Sequence, residues 1–142
     1  MRVLAVDFGE RRIGLAVSDA SGTLARPWRT IAGHRGLDAA VGAVLEALAA
    51  FEAEHERVEI VVVGLPRRLD GSPNDQTPRA SAFAERLARR TDRTVVLQDE
   101  RLSSHEADQR LAERERDWRV RKKRLDAAAA AVILQEYLDT RK

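Results

Sequence analysis

The fold of this chain is decided by the stretch Val3-Leu4-Ala5-Val6-Asp7-Phe8-Gly9. Its unbroken apolar run predicts a buried strand that ends near an acid and a glycine. The next apolar residues, Ile13, Leu15 and Val17, alternate with smaller ones and predict a second strand that pairs back as a hairpin. A third strand is predicted over 23–31, and Pro27 within it favours an edge position in the sheet.

The rest of the chain alternates helical and extended patterns. Apolar spacing and breaker residues predict a helix over 36–54, a strand over 58–65, a loop over 66–78, a helix to about 90, a strand over 94–98, a helix from 103 and a last helix over 125–139. Strands joined by helical crossovers are expected to be parallel neighbours. The predicted fold class is therefore α/β: a five-stranded mixed sheet, with a hairpin-led antiparallel part of three strands, two parallel strands, and helices on both faces.

Length and composition limit the possible functions. The 142 residues fit one domain, 1–142, and 34% of them are charged. Since the chain has no cysteine, disulfides, thiolate zinc sites and a cysteine nucleophile are excluded. No apolar stretch is long enough to span a bilayer, and the N-terminus lacks a signal-peptide pattern. We therefore expect a cytoplasmic protein without a membrane partner, and the net charge of +2 alone predicts no polyanion partner.

Three acids in separate segments form the candidate site. Asp7 ends the first predicted strand, Glu100 follows the fifth, and Asp126 opens the last predicted helix on the same face as Ala130 and Ile133. Ligands of such sheets bind outside the carboxyl ends of the strands, where Asp7 and Glu100 lie. Together the acids would make an oxygen-rich pocket for a hard cation such as Mg²⁺, which suits phosphodiester hydrolysis.

Each acid also has a purely structural interpretation. Asp7 could accept hydrogen bonds from turn amides at Gly9, and Glu100 could support the helix that starts near Ser103. Asp126 could be a first-turn acid that complements the helix dipole. These alternatives are about even for each acid alone, but three acids at matching ends of one sheet favour a site.

Basic side chains near the acids are the candidates for phosphate contacts. The run 119–124 precedes Asp126 directly and is expected to lie over the pocket mouth, the alternative being a solvated loop. Arg12 and Arg101 lie near the acids and either bind phosphate or neutralise the acids in salt bridges. The substrate-binding candidates are therefore Arg12, Arg101, Arg121, Lys122, Lys123 and Arg124.

Four colinear segments, spread over nearly the whole chain, resemble the motifs of one family. They are Asp7-Phe8-Gly9-x-x-Arg12-Ile13-Gly14-x-Ala16-x-Ser18-Asp19, Val63-Gly64-Leu65-Pro66 with Asp70-Gly71, Asp99-Glu100-Arg101-Leu102-Ser103-Ser104, and Lys123-x-x-Asp126-x-x-Ala129-Ala130 with Ile133-Leu134-Gln135-x-Tyr137-Leu138. Together they resemble the YqgF family, the proposed pre-16S rRNA nucleases, also described as Holliday-junction resolvase-like.

The resemblance implies a ribonuclease H-like fold and a nuclease that depends on Mg²⁺ or Mn²⁺. It also implies a bacterial cytoplasmic role in maturing the 5′ end of 16S ribosomal RNA. Asp7, Glu100 and Asp126 match the family's acidic positions, as catalytic residues and metal ligands. Pre-ribosomal RNA is the favoured partner. Branched DNA as substrate and a non-catalytic RNA-binding assembly factor remain the alternatives, and a monomer or weak homodimer is expected.

One departure from the wider resolvase group concerns the metal shell. Those enzymes often carry a further acid one turn after the helix aspartate, where this chain has Ala129 and Ala130. The number of metals therefore stays open. A phosphate oxygen, Asp19 or Asp99 is left as a candidate to complete the shell.

Overall fold

The computed structural model describes residues 1–9, 11–33, 36–66, 70–100 and 118–141, and of residues 118–125 it describes the backbone. The strands are β1 (Arg2–Phe8), β2 (Arg12–Ser18), β3 (Ala25–Ala32), β4 (Val58–Leu65) and β5 (Thr94–Asp99). The helices are α1 (Leu37–Glu52), α2 (Thr77–Arg90) and α3 (Trp118–Thr140). The helix predicted from residue 103 lies outside the described residues.

The strands form one mixed sheet in the order β3-β2-β1-β4-β5. β1 and β3 pair antiparallel with β2, whereas β1, β4 and β5 run parallel. The predicted sheet, with its three-stranded antiparallel part, is confirmed. β3 lies at an edge, as Pro27 predicted, because a residue without an N–H group is tolerated there.

Helices cover both faces of this sheet, as predicted. Alternate β1 side chains point to opposite faces. Leu4, Val6 and Phe8 pack in the core with α1 and α2, and Val3 and Ala5 pack against α3. In the part of the chain that the structure describes, no helix is long and apolar enough to cross a membrane.

Helix α3 begins earlier than the sequence predicted. The expected start was Leu125, because the preceding basic run has no apolar periodicity, but the helix starts at Trp118. Arginine and lysine are good helix formers, so the run continues the helix instead of forming a loop. Asp126 therefore lies eight residues inside α3, and a first-turn dipole role does not apply to it.

Candidate functional site

The candidate site is built on a row of three residues across the sheet, on the face that α3 covers. Asp7 lies opposite Gly14 in the β1–β2 register. On the other side of β1, Val6 pairs with Val63, which places Gly64 beside Asp7. The acid thus stands between two positions that carry no side chain, and other parts of the chain occupy the space above them.

Helix α3 occupies the space above Gly14. A Cβ atom at Gly14 would lie 1.9 Å from the backbone oxygen of Asp126 and 2.9 Å from the nitrogen of Ala127. No side chain fits there without moving the helix backbone. Gly14 therefore sets how closely the helix carries Asp126 to the end of β1.

The Glu100 side chain occupies the space above Gly64. A Cβ atom at Gly64 would lie 2.7 Å from Glu100 Oε2 and 2.7 Å from Ile133 Cδ1. Glu100 follows β5 directly, and its backbone N–H donates to the Leu65 carbonyl oxygen at 3.2 Å. That bond continues the parallel ladder by one residue and fixes where the Glu100 side chain starts.

Asp7 and Glu100 share a hydrogen bond between their carboxyl groups. Burial raises the pKa of Asp7 to about 6; the hydrogen bond from Glu100 opposes this rise, and the charge of Asp126 adds to it. Burial also raises the pKa of Glu100 to about 9, and the negative charge of Asp7 adds to that rise. At pH 7 Glu100 therefore keeps its proton, and its O–H group donates a hydrogen bond to the ionised carboxylate of Asp7.

Asp126 lies next to this pair and is held by an arginine. Arg12 Nε donates to Asp126 Oδ2 at 2.5 Å, and the two side chains are 32% and 24% exposed. Arg12 begins β2, so the hairpin that presents Gly14 also supplies the partner of Asp126. The sequence left open whether Arg12 binds phosphate or forms a salt bridge with an acid, and the structure shows the salt bridge.

The carboxyl groups of the candidate site are of the kind that a hard cation binds. Carboxylate oxygens are the ligands that Mg²⁺ prefers, and Asp7 and Glu100 place two of them in contact. Within the described ranges, no group of three acidic or histidine side chains is close enough to hold a metal as it stands. Asp126 fits as the third donor in chemistry, while one of its oxygens bonds Arg12.

The other predicted residues separate into three groups. Asp19 is at the opposite end of the sheet, where its carboxylate accepts from the Thr23 and Leu24 amides at 2.7 and 3.2 Å, so it is unavailable to complete a metal shell. Asp99 ends β5, and its charge raises the pKa of Glu100. Arg101 lies outside the described residues, as do the side chains of Arg121, Lys122, Lys123 and Arg124, whose backbone forms the first turns of α3.

The two glycines are the functional positions that the sequence interpretation undervalued. In the sequence interpretation Gly14 and Gly64 occur only as members of the quoted motifs. A glycine inside a strand pattern signals that another backbone or a ligand comes close. That signal, applied to Gly14 opposite Asp7, would have indicated the contact with α3.

Solved structures define the class of protein. Over 99% of this chain and 96% of the other, the structure matches Thermus thermophilus RuvC in complex with a Holliday junction substrate, with a TM-score of 0.54 and 20% sequence identity. A likeness at this identity establishes the fold. The chain is a ribonuclease H-like α/β protein, as the motif resemblance implied.

Sequence relatives define the family. A relative from Anaeromyxobacter sp., named "Putative pre-16S rRNA nuclease", is 45% identical over 99% of this chain and 98% of its own length. A relative of the same name from Maridesulfovibrio salexigens is 41% identical over 97% of this chain and 98% of its own length. The RuvX family model, described as Holliday junction resolvase, matches residues 1–140. The chain belongs to this family of nucleases. It is the same family that the sequence motifs resemble, where it was called YqgF.

Proposed function

We propose that the protein is a metal-dependent nuclease that hydrolyses phosphodiester bonds of RNA, in the 5′-end maturation of pre-16S ribosomal RNA. The observation that carries the proposal is the half-buried Asp7–Glu100 pair with Asp126 beside it. Three acids from two strand ends and one helix are costly to gather in a protein interior. A stable fold that gathers them points to a task for their charge.

The cation that the family's chemistry implies would be Mg²⁺ or Mn²⁺, held by Asp7, Glu100 and Asp126. When bound, it supplies Lewis-acid activation of water and neutralises charge on the scissile phosphate. Before it binds, the shared proton keeps the Asp7–Glu100 pair at one negative charge, and Arg12 balances Asp126. One negative charge of the three acids thus remains for a cation to neutralise, and Arg12 and the basic turns of α3 are the candidates to hold phosphates.

The choice of RNA rests on the relatives named for pre-16S rRNA. The second candidate substrate is a DNA Holliday junction, which the description of the matching family model favours. Both substrates present phosphodiesters to the same acids, so the site alone does not separate them.

The experiment that tests the proposal is cleavage of a precursor of 16S rRNA and of a junction DNA, with Mg²⁺ or Mn²⁺, by wild type and Asp7→Asn. We expect wild type to cleave the RNA at its 5′ side and Asp7→Asn to be inactive, because the amide loses a negative ligand. Asp19→Asn is the matched control, since its carboxylate is at the far end of the sheet, and it should cleave at the wild-type rate.

Other outcomes would replace the proposal. Cleavage of the junction in preference to the RNA would establish the second candidate. Binding of RNA without metal-dependent cleavage, with equal affinity in Asp7→Asn, would indicate a non-catalytic assembly factor. Cleavage by folded Asp7→Asn at the wild-type rate would show that the chemistry lies elsewhere.

A further inference from the structure

Two cavities lie between the edge strand β3 and helix α1, on the sheet face that does not carry Asp7, and together they are called the β3–α1 groove. The larger, about 450 Å³, lies toward the start of β3 and is lined by Arg26, Trp28 and Phe51 among others. The smaller, about 280 Å³, lies toward the end of β3, between Arg29 and helix α1. Trp28 lines the larger cavity, and the next residue, Arg29, lines the smaller.

The groove combines aromatic rings with guanidinium groups. Trp28 packs against the core and makes a T-shaped contact with Phe51, with ring centroids 5.2 Å apart and an angle of 73° between the ring planes. The Arg29 guanidinium carbon lies 4.1 Å from the centre of a Trp28 ring. Arg2 lies over the Phe51 ring at 5.4 Å and is fixed by the Ser18 carbonyl oxygen at 2.8 Å. The two arginines and two aromatic rings thus form a cluster of cation–π contacts, in which Arg29 lies over the Trp28 ring.

The charges of Arg26 and Arg29 are not matched within the fold. Both side chains are exposed, and neither makes an ion pair among residues 1–9, 11–33, 36–66, 70–100 and 126–141. Of the acids that line the groove, Asp19 is engaged by turn amides and Glu46 lies in the smaller cavity. Each cavity therefore contains one exposed guanidinium group and one acid, Arg26 with Asp19 in the larger and Arg29 with Glu46 in the smaller.

The groove leads from the far end of the sheet toward the candidate site. In the β2–β3 register Ser18 pairs with Ala25, and at the other end Arg12 pairs with Ala32. The eight residues of β3 span roughly 26 Å at about 3.3 Å per residue. A strand that leaves the acids near Arg12 and crosses the sheet edge would reach Arg29, Trp28 and then Arg26.

We infer that the β3–α1 groove binds a single-stranded segment of the substrate nucleic acid, with bases stacked at Trp28 and phosphates on Arg26 and Arg29. Proteins hold single strands by stacking bases on aromatic faces and by binding phosphates with arginine. The inference rests on the proposed function for the nature of the ligand. It adds a second contact remote from the acids, and hence a preference for substrates with an unpaired flank.

Tryptophan emission tests this directly, because Trp28 and Trp118 are the two tryptophans of the chain. In a Trp118→Phe background all of the emission comes from Trp28. A short oligouridylate, added without divalent metal, should quench that emission saturably. The double variant Arg26→Gln/Arg29→Gln should bind about tenfold more weakly, with a salt slope smaller by about 0.7 for each lost contact.

The matched control is Arg86→Gln/Arg89→Gln, which makes the same charge change on exposed positions of α2. It should leave the binding within about twofold of wild type. Unquenched Trp28 emission, or equal weakening in both double variants, would overturn the inference. The groove variant should still cleave saturating substrate, because its acids are unchanged. If the groove inference fails, wild type cleaves but its Trp28 emission is not quenched. If the proposed nuclease function fails, oligouridylate quenches the Trp28 emission but wild type does not cleave.

Discussion

The two faces of the sheet are packed with side chains of different size near the candidate site. On the face of α1 and α2, large side chains fill the space: Phe8 stacks on Phe83 with centroids 4.5 Å apart, and Leu48 is 1% exposed. On the face of α3, the contact near the carboxyl ends of the strands is made by Gly14, Gly64 and the small residues of the helix. On the α1–α2 face, side chains separate the helices from the sheet. On the α3 face, the backbone of the helix contacts the sheet at Gly14.

This difference separates stability from function within one sheet. Large apolar side chains contribute burial, and the α1–α2 face contributes it without any acid in its core. The α3 face gives up side chains at two positions beside Asp7, which brings Asp126 and Glu100 to that acid. We therefore expect substitutions in the apolar core of the first face to alter stability alone, and those beside Asp7 on the second to alter the site.

The largest loss of stability is expected from Leu48→Ala on the α1–α2 face. The fully buried leucine would leave a cavity, which costs about 2–5 kcal/mol. Urea unfolding measures the change, and cleavage is assayed where the variant remains folded. A folded variant with greatly reduced cleavage would show that the two faces are not separable.

Gly14→Ala is expected to lower the free energy of unfolding by about 1–3 kcal/mol, as overpacking does. Its larger consequence is displacement of α3, because the added methyl meets the Asp126 backbone and no flexible side chain. We expect metal-induced stabilisation and cleavage to fall together. Gly64→Ala is a comparison for stability only, since its methyl meets the movable side-chain ends of Glu100 and Ile133 and should lower the free energy of unfolding less.

Glu100→Gln is expected to change how stability depends on pH. The folded-state pKa of Glu100 is raised to about 9, so in the metal-free protein its contribution is fully present below the unfolded pKa near 4.5 and is lost as pH rises toward 9. Glutamine keeps a donor for Asp7 and cannot ionise. At pH 8 the variant should exceed wild type in unfolding free energy by on the order of 1 kcal/mol.

Urea unfolding in the presence of a chelator at pH 5, 7 and 9 measures this dependence. Wild type should lose stability more steeply than Glu100→Gln across the range. Parallel curves for the two proteins would mean that Glu100 ionises normally in the folded state.

The smallest effect is expected from Gly42→Ala, inside α1. The nearest atom to a Cβ there is an Arg90 guanidinium nitrogen at 3.9 Å, which is ordinary contact. Alanine should raise stability by about 0.5–1 kcal/mol through helix propensity. A rise in the midpoint of thermal unfolding with unchanged cleavage would fit; a loss of stability would show that the face is packed more tightly than described.

Patterns along the sequence were sufficient for the sheet. The apolar run that ends at Asp7, the alternation after Ile13 and Pro27 in the third strand predicted strand positions and the edge. These features succeed because strand burial and hydrogen bonding act over a few neighbouring residues. The carboxyl-end rule for parallel strands then placed Asp7 and Glu100 together.

The contacts between distant segments could not be read from the sequence. Arg12 and Asp126 are 114 positions apart, and a carboxylate and a guanidinium alone do not reveal whether they bond each other or the substrate. The proton shared by Asp7 and Glu100 depends on burial, which the sequence does not state. The start of α3 was missed because a charged run lacks periodicity whether it forms a helix or a loop.

The most direct test of the central claim, that Asp7, Glu100 and Asp126 act as one metal site on the α3 face, is a thermal melt with and without Mn²⁺. Wild type should gain stability with Mn²⁺ by mass action, while Asp7→Asn and Asp126→Ala should lose most of that gain. Asp19→Asn, at the other end of the sheet, should respond as wild type does. Equal Mn²⁺ stabilisation of all four proteins would contradict the account, because neither Asp7 nor Asp126 would then be a ligand.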